Sequence, residues 1–325
     1  MPKAPRCWLA LMLLCLIATS YAADTQRRVA LTFDDLPAVG LGDTPKDPSL
    51  DAKAVTGMNR AILSALRQRK APAVGFVVES HVEALGLDTG REVLREWIRG
   101  GFTLANHTRN HRDSNALSLA QIDAEIAGGS ASAGALMQDA GKKLQYLRFP
   151  FNHTGDTAQK QAGILKLAAK HDLVMAASTI DTSDYLFDQA YRRAVAANDR
   201  GTAVKIRMAY LDYSITQIDY YAALGAQVLG YEPPQVMLLH VNRLNADTLP
   251  QLLAIFENKG YRFVTLDEAQ ADAAYQAPST FVSKFGPMWG YRWARERGVK
   301  VDGSREQEPP SWIAGYAETG VLPKQ

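Results

Sequence analysis

Between Arg28 and about Leu266 the chain alternates short apolar runs with longer stretches of helical periodicity, and this pattern limits the fold more than any other feature. Val29–Phe33, Val74–Val78, Phe102–Ala105, Tyr146–Phe149, Leu173–Ser178, Val236–His240 and Phe263–Leu266 read as strands. Ala52–Arg69, Arg91–Arg99, Leu119–Met137, Thr157–His171, Thr202–Leu229 and Thr248–Lys259 read as the helices between them. Strands interleaved with helices predict an α/β fold with a parallel sheet. Alternation alone does not say whether that sheet closes into a barrel of about seven strands or stays open and doubly wound.

The reactive side chains favour the barrel. Asp34 and Asp35 follow the first strand, His107 the third, Arg148-Phe149-Pro150 lies at the fourth and His240 ends the sixth. Loops at the C-terminal ends of barrel strands are where such folds gather their active sites. Past Leu266 the alternation stops. Residues 271–325 carry Pro, Gly and Trp in no regular pattern and are too few to form a core, so they are expected to wrap on the barrel as an irregular extension. Trp289, Tyr291, Trp293 and Trp312 are expected to be packing aromatics there.

At the other end, Lys3 and Arg6 precede an apolar run from Cys7 to Ala18, and Ser20-Tyr21-Ala22 offers small residues where a signal peptidase reads. The run is short for a membrane span. Residues 1–22 therefore read as a signal peptide cleaved near Ala22, which would export residues 23 onward to the periplasm or medium with no transmembrane segment in the mature chain. Both cysteines, Cys7 and Cys15, fall in this leader, so stability must come from a core, for which 47% hydrophobic residues suffice. The formal charge of +2 disappears with Lys3 and Arg6, which gives no support to a nucleic-acid partner.

The first strand runs into Asp34-Asp35 and then Pro37. Neighbouring strand residues point to opposite faces, so two adjacent acids converge only where the strand is ending, and a converged pair is costly unless a cation, proton or base neutralises it. Asn106-His107-Thr108-Arg109-Asn110-His111 supplies two histidines four apart, which on a helical turn would share a face. With one of the two aspartates they would form a two-His, one-Asp site with open positions. Imidazole and carboxylate together suit Zn2+, while Co2+, Ni2+ and Fe2+ fit the same donors chemically. Gly128-Gly129 lacks the Lys-Ser/Thr of a phosphate loop, and no Gly-x-Ser-x-Gly elbow is present. His81, His153 and His171 have no spaced partners and are expected to be structural or surface residues, His153 being the nearest to an exception.

These residues resemble the polysaccharide deacetylases, the NodB-homology carbohydrate esterases, through five short motifs in order. Thr32-Phe33-Asp34-Asp35 resembles the first motif, which implies Asp34 as catalytic base and Asp35 as metal ligand. His107-Thr108-x-x-His111 is similar to the second and implies two further ligands. Arg148-Phe149-Pro150-Phe151 resembles the third, whose arginine orients the base and whose backbone N–H, here that of Phe151, helps bind the oxyanion. Asp181-Thr182-Ser183-Asp184-Tyr185 resembles the fourth, and Leu238-Leu239-His240 the fifth, whose histidine is the general acid. Leu238 and Tyr185 would then line the substrate groove, and Asp181 or Asp184 would raise the pKa of His240. Asn152 stands where the family usually has glycine, and Tyr185 where tryptophan is commoner; asparagine tolerates the left-handed backbone that such a turn needs.

The resemblance implies a distorted, NodB-like (β/α) barrel over residues 23–270 that hydrolyses acetyl groups from an acetylated carbohydrate with a divalent metal. Amide hydrolysis needs an activated water, a base, an oxyanion donor and an acid for the leaving amine. An O-acetyl esterase on xylan or a similar polymer would use the same parts. An inactive carbohydrate-binding or scaffold protein would have no need of the full set.

Overall fold

The computed structural model describes residues 26–43, 47, 49–277 and 279–322; the expected signal peptide, with Cys7 and Cys15, lies outside them. Eight parallel strands form one sheet: β1 (Arg27–Leu36), β2 (Ala73–Val77), β3 (Thr103–Asn106), β4 (Tyr146–Leu147), β5 (Val174–Met175), β6 (Ile180–Asp181), β7 (Gln235–His240) and β8 (Tyr261–Val264). Seven lie in the order β5-β4-β3-β2-β1-β7-β6. Strand β8 pairs with Arg27–Ala30 of β1, while β7 pairs with Val29–Asp34 and β2 with Leu31–Leu36. Since β7 and β8 overlap on Val29 and Ala30, β8 must share the edge that β2 occupies further along.

The chain's own connectivity forces this sheet to curl. Strands β5 and β6 end the seven-strand order on opposite sides, yet only Ala176–Thr179 joins them. Fully extended, that link reaches at most about 18 Å, whereas seven flat strands would separate their edges by about 29 Å. The result is a distorted (β/α) barrel with an unpaired gap between β5 and β6. Sequence reading took Leu173–Ser178 as one strand; the structure ends β5 at Met175 and places β6 after the link. A two-residue strand has no repeat from which a pattern could be read.

Period two sorts the first strand between two cores. Val29, Leu31 and Phe33 pack under the surrounding helices with Ile62, Leu66 and Trp97, while Ala30 faces the barrel interior with Val74, Phe76, Ala105, Tyr146 and Val236. Above this interior, toward the mouth, Thr32, Arg148 and His107 are all buried.

Two helices differ from expectation in ways that matter for the site. Leu119–Met137 is broken at Ser130 into Leu119–Gly129 and Ala131–Asp139. A Cβ on Gly129 would lie 2.5 Å from the Thr108 carbonyl carbon and 2.7 Å from Asn106 Oδ1, so the glycine lets this break abut the histidine loop. The expected Thr248–Lys259 helix begins earlier, at Arg243, because Asn242 caps it by accepting from the Asn245 N–H at 2.8 Å. Residues past 271 are less irregular than expected: helix Trp289–Glu296 lies on helix Arg200–Leu229, and helix Ser311–Thr319 on helix Asp184–Ala196. Among the described residues no helix is long and apolar enough to cross a membrane.

Candidate metal and catalytic site

Asp34 follows Ala30 and Thr32 by period two and so points into the barrel mouth; Asp35 by the same rule would point away. The backbone resolves this. Asp35 adopts φ 65°, and the β1–β2 register slips between Phe33 and Leu36, a bulge that turns the second acid toward the mouth as well. Both carboxylates are buried, Asp34 at 3% and Asp35 at 6% exposure.

The histidine loop leaves β3 and is not the helical turn that the spacing suggested. Thr108 and His111 take φ of 71° and 52°, and this left-handed backbone brings the two rings to 5.2 Å between centroids. Two residues without an assigned role in the sequence reading hold the loop. Asn106 accepts from the Thr108 N–H at 2.7 Å, and Glu125 accepts from the Asn110 N–H and side-chain amide, each at 2.8 Å. His107 Nδ1 lies 2.8 Å from the Arg148 carbonyl oxygen, which can only accept, so the proton sits on Nδ1 and the Nε2 lone pair faces the site.

The donor set fits a metal ion. The ligand atoms of Asp35, His107 and His111 all lie within 4.8 Å of one another, and Asp35 Oδ1 stands 3.4 Å from His107 Nε2 and 3.1 Å from His111 Nε2. That oxygen is buried and makes no hydrogen bond, an arrangement suited to a cation shared with two imidazoles. Burial pushes Asp35 up and His111 down, but attraction between them wins, holding Asp35 well below the usual carboxylate range and His111 above the usual imidazole range.

On one side of this set Arg148 reaches from the end of β4. Its guanidinium donates to Asp34 Oδ1 at 2.8 Å, to Thr32 Oγ1 at 2.9 Å and to the Ala177 carbonyl at 2.7 Å. The other oxygen of Asp34 lies 3.6 Å from His107 Nε2. Opposite, His240 ends β7 with Nδ1 at 2.7 Å from Asp184 Oδ1. Asp184 Oδ2 accepts from the His240 N–H at 2.9 Å, from Asn242 Nδ2 at 3.0 Å and from Asn245 Nδ2. Burial would lower the His240 pKa, but the Asp184 charge and hydrogen bond outweigh it and lift the ring to about 10. Of the two acids the sequence left open, the one on His240 is therefore Asp184. Asp181 instead accepts from the Ser183 N–H at 2.8 Å, and burial raises its carboxyl to about 6.

Around the rim, Phe151 and Asn152 form a turn with φ of 60° and 53°, so asparagine does hold the left-handed position. The Phe151 ring is 59% exposed and lies 5.3 Å from His111 and 5.6 Å from His153. Tyr185, half exposed, sits edge-on to His240 at 6.1 Å. Leu238 is buried in β7 beside Thr32 and Asp181. His153 bonds Asp113 and His171 bonds Asp123. His81 is closer to the site than its lack of spaced partners suggested: it is buried, stacked at 6.2 Å on His111, and burial lowers its pKa.

A parallel barrel gathers at its strand ends an Arg148-bound carboxylate, a carboxylate-bound histidine and a His/Asp donor set. Residues 22–169, which include the first three motifs, match the family model described as Polysaccharide deacetylase. That segment, a little under half of the chain, is similar to the polysaccharide deacetylase family. Comparison with curated proteins gives no match. Among solved structures, the wild-type form of a CE4 family pseudoenzyme from Bacillus anthracis is 13% identical over 75% of this chain and 66% of its own, with a TM-score of 0.50. It shares the fold, and this chain spans about two thirds of its length. A peptidoglycan deacetylase from Bacillus subtilis is 19% identical over 76% of this chain and 92% of its own, at a TM-score of 0.47. A family 4 carbohydrate esterase from Streptomyces lividans, in complex with acetate, is also 19% identical, over 75% and 95% respectively, at 0.47.

Proposed function

We propose that the chain is an exported, metal-dependent hydrolase that removes acetyl groups from N-acetylated sugars of a peptidoglycan- or chitin-like polymer. The observation that carries this reading is the arrangement of charge: an Arg148-bound Asp34 on one side of the Asp35–His107–His111 set and an Asp184-bound His240 on the other. Asp35, His107 and His111 would hold the divalent cation, Zn2+ being the best match to these donors, with Co2+, Ni2+ or Fe2+ as other occupants. When bound, such a cation lowers the pKa of water and polarises an acyl oxygen.

The chain's own residues supply the rest. Asp34, held in place by the Arg148 guanidinium, takes the proton of the attacking water. The Phe151 N–H meets the developing oxyanion. His240, protonated at neutral pH because Asp184 stabilises its cation, gives its proton to the leaving nitrogen. A protonated His240 suits an amide, whose amine leaves poorly without protonation, better than an O-acetyl ester. An inactive binding or scaffold role is disfavoured by the presence of base, ligands, arginine and acid together. Export rests on the leader at residues 1–22.

Acetate release by the metal-loaded mature protein from chitin oligomers, peptidoglycan and acetylxylan tests the reading. Turnover of the first or second, with little on xylan, is expected. Release from acetylxylan alone would replace it with the esterase, and release from none of the three would leave the binding role.

A further inference from the structure

We infer that the C-terminal extension is part of the active site: Arg292 and Gly286 position the Phe151–Asn152 turn, and with it the oxyanion donor. This rests on the deacetylase reading for the role of the Phe151 N–H. Two successive left-handed residues, one a phenylalanine, form a turn that persists only where its surroundings dictate it. Those surroundings come from the extension.

Arg292, only 1% exposed, donates from Nη2 to the Asn152 carbonyl at 2.6 Å, from Nη1 to Thr154 Oγ1 at 2.9 Å and from Nε to the Pro287 carbonyl at 2.9 Å. Its guanidinium stacks 4.0 Å from the Trp289 ring. Among the described residues no carboxylate lies within ion-pair distance of it, so a costly buried charge is committed to the carbonyl and hydroxyl of this one loop and to its own segment. Gly286 presses on the same turn. A Cβ there would lie 1.8 Å from the Phe151 carbonyl oxygen and 2.8 Å from the Asn152 carbonyl carbon, so no other residue allows this approach. On either side, Ser283 N–H donates to the Gly155 carbonyl at 3.2 Å and Trp289 N–H to the Ser178 carbonyl at 2.8 Å. Ser178 belongs to the link between β5 and β6. The strap therefore runs from the oxyanion turn to the place where the barrel is unpaired, tying the loop to a part of the sheet that has no ladder of its own.

The test uses Arg292→Met, Arg292→Lys and Gly286→Ala, with Ile313→Ala as control; Ile313 is fully buried in the extension against Phe187 and Tyr210, away from the turn. Hydrogen exchange of peptides covering residues 149–156 is read on metal-free protein without substrate. Kinetic constants and zinc affinity are read on the loaded enzyme. Arg292→Met and Gly286→Ala should exchange at least ~10-fold faster in that segment and lose roughly 10- to 100-fold in kcat, with KM and zinc affinity within about 2-fold. Arg292→Lys, which keeps the charge and one donor direction, should recover part of both losses. Ile313→Ala should lower stability and change neither. Unchanged exchange and kcat in folded Gly286→Ala and Arg292→Met would overturn the inference, as would equal losses in Ile313→Ala. If Arg292→Met does not fold, Gly286→Ala decides. A wild-type enzyme with no acetyl release would refute the deacetylase reading, while the exchange measurement would still decide whether the extension holds the turn.

Discussion

Removing the charge beside His240 should move one limb of the pH profile and leave the other in place. Asp184 is fully buried, and its carboxylate is the main influence lifting the His240 ring to about 10 against the pull of burial. Asp184→Asn keeps the shape and deletes the charge, so His240 should fall from about 10 toward the ordinary imidazole value of about 6.5, burial pulling it down against the remaining Asp34 and Asp35 charges. At pH 8.5 the protonated fraction would then drop from nearly all to roughly 1%, about a 100-fold loss of working acid. The substitution also turns an NH2 toward donors that the carboxylate now accepts, at a cost of about 1–3 kcal/mol in stability. For that reason the assay is the shape of kcat against pH from 5 to 11 on an N-acetylated oligosaccharide, which does not depend on how much protein folds. The alkaline limb should move from near 10 to below 7 while the acid limb stays. The wild-type pair also stabilises the fold, fully below a pH near 6.5 and progressively less as pH rises through about 10, because the folded-state pKa is raised. An alkaline limb unmoved in folded Asp184→Asn would refute the claim that Asp184 holds the proton of the leaving-group acid.

His107→Ala or His111→Ala should lower zinc affinity by at least ~10-fold and prevent zinc from restoring activity to stripped protein; metal analysis after dialysis checks this, and full activity in verified metal-free protein would remove the site assignment. Asp34→Asn should keep its metal and lose turnover, whereas Asp35→Asn should lose the metal, so equal metal loss in both with an active Asp34→Asn would reverse the two roles. His240→Ala should cost roughly 10²–10⁴-fold on an N-acetyl sugar and much less on an activated acetate ester, whose leaving group departs without a proton; equal losses at unchanged metal occupancy would make His240 a structural residue. Mass spectrometry of the exported protein should place its N-terminus near Ala23, and an intact Met1 would mean that the leader is retained.

The parallel α/β class was readable because apolar runs and helical stretches carry their periods locally. Val74–Val78 and Val236–His240 differ from β2 and β7 by a residue. What the sequence could not carry was short or distant. Strand β6 has two residues and is defined by its ladder to β7, a pairing across more than fifty positions. The left-handed backbone at Asp35 and His111 decides which side chains converge, yet neither residue is a glycine that would advertise it. The choice between Asp181 and Asp184 depends on Asn242 and Asn245, which reach Asp184 from the next helix. Arg292 and Gly286 meet the Phe151 turn from more than 130 residues away, where no local repeat hints at contact.

The separation of the proposed base and acid follows from the sheet itself. Asp34 and His240 are register partners on neighbouring parallel strands, so their Cα atoms are set about one strand spacing apart and their side chains share a face. Each is then turned by a partner from a more distant element, Asp34 by Arg148 after β4 and His240 by Asp184 after β6. The curl of the barrel brings those two elements over the same mouth, although β4 and β6 are five places apart in the strand order. An open, flat sheet with the same sequence would keep the β1–β7 pair but would carry Arg148 away from Asp34, since β4 lies three strands from β1. Closure is thus what brings the Arg148-bound Asp34 and the Asp184-bound His240 over one mouth. Because only the Ala176–Thr179 link enforces closure from within the barrel, lengthening that link should loosen Arg148 through the Ala177 carbonyl it donates to, well before it unpairs Asp34 from His240.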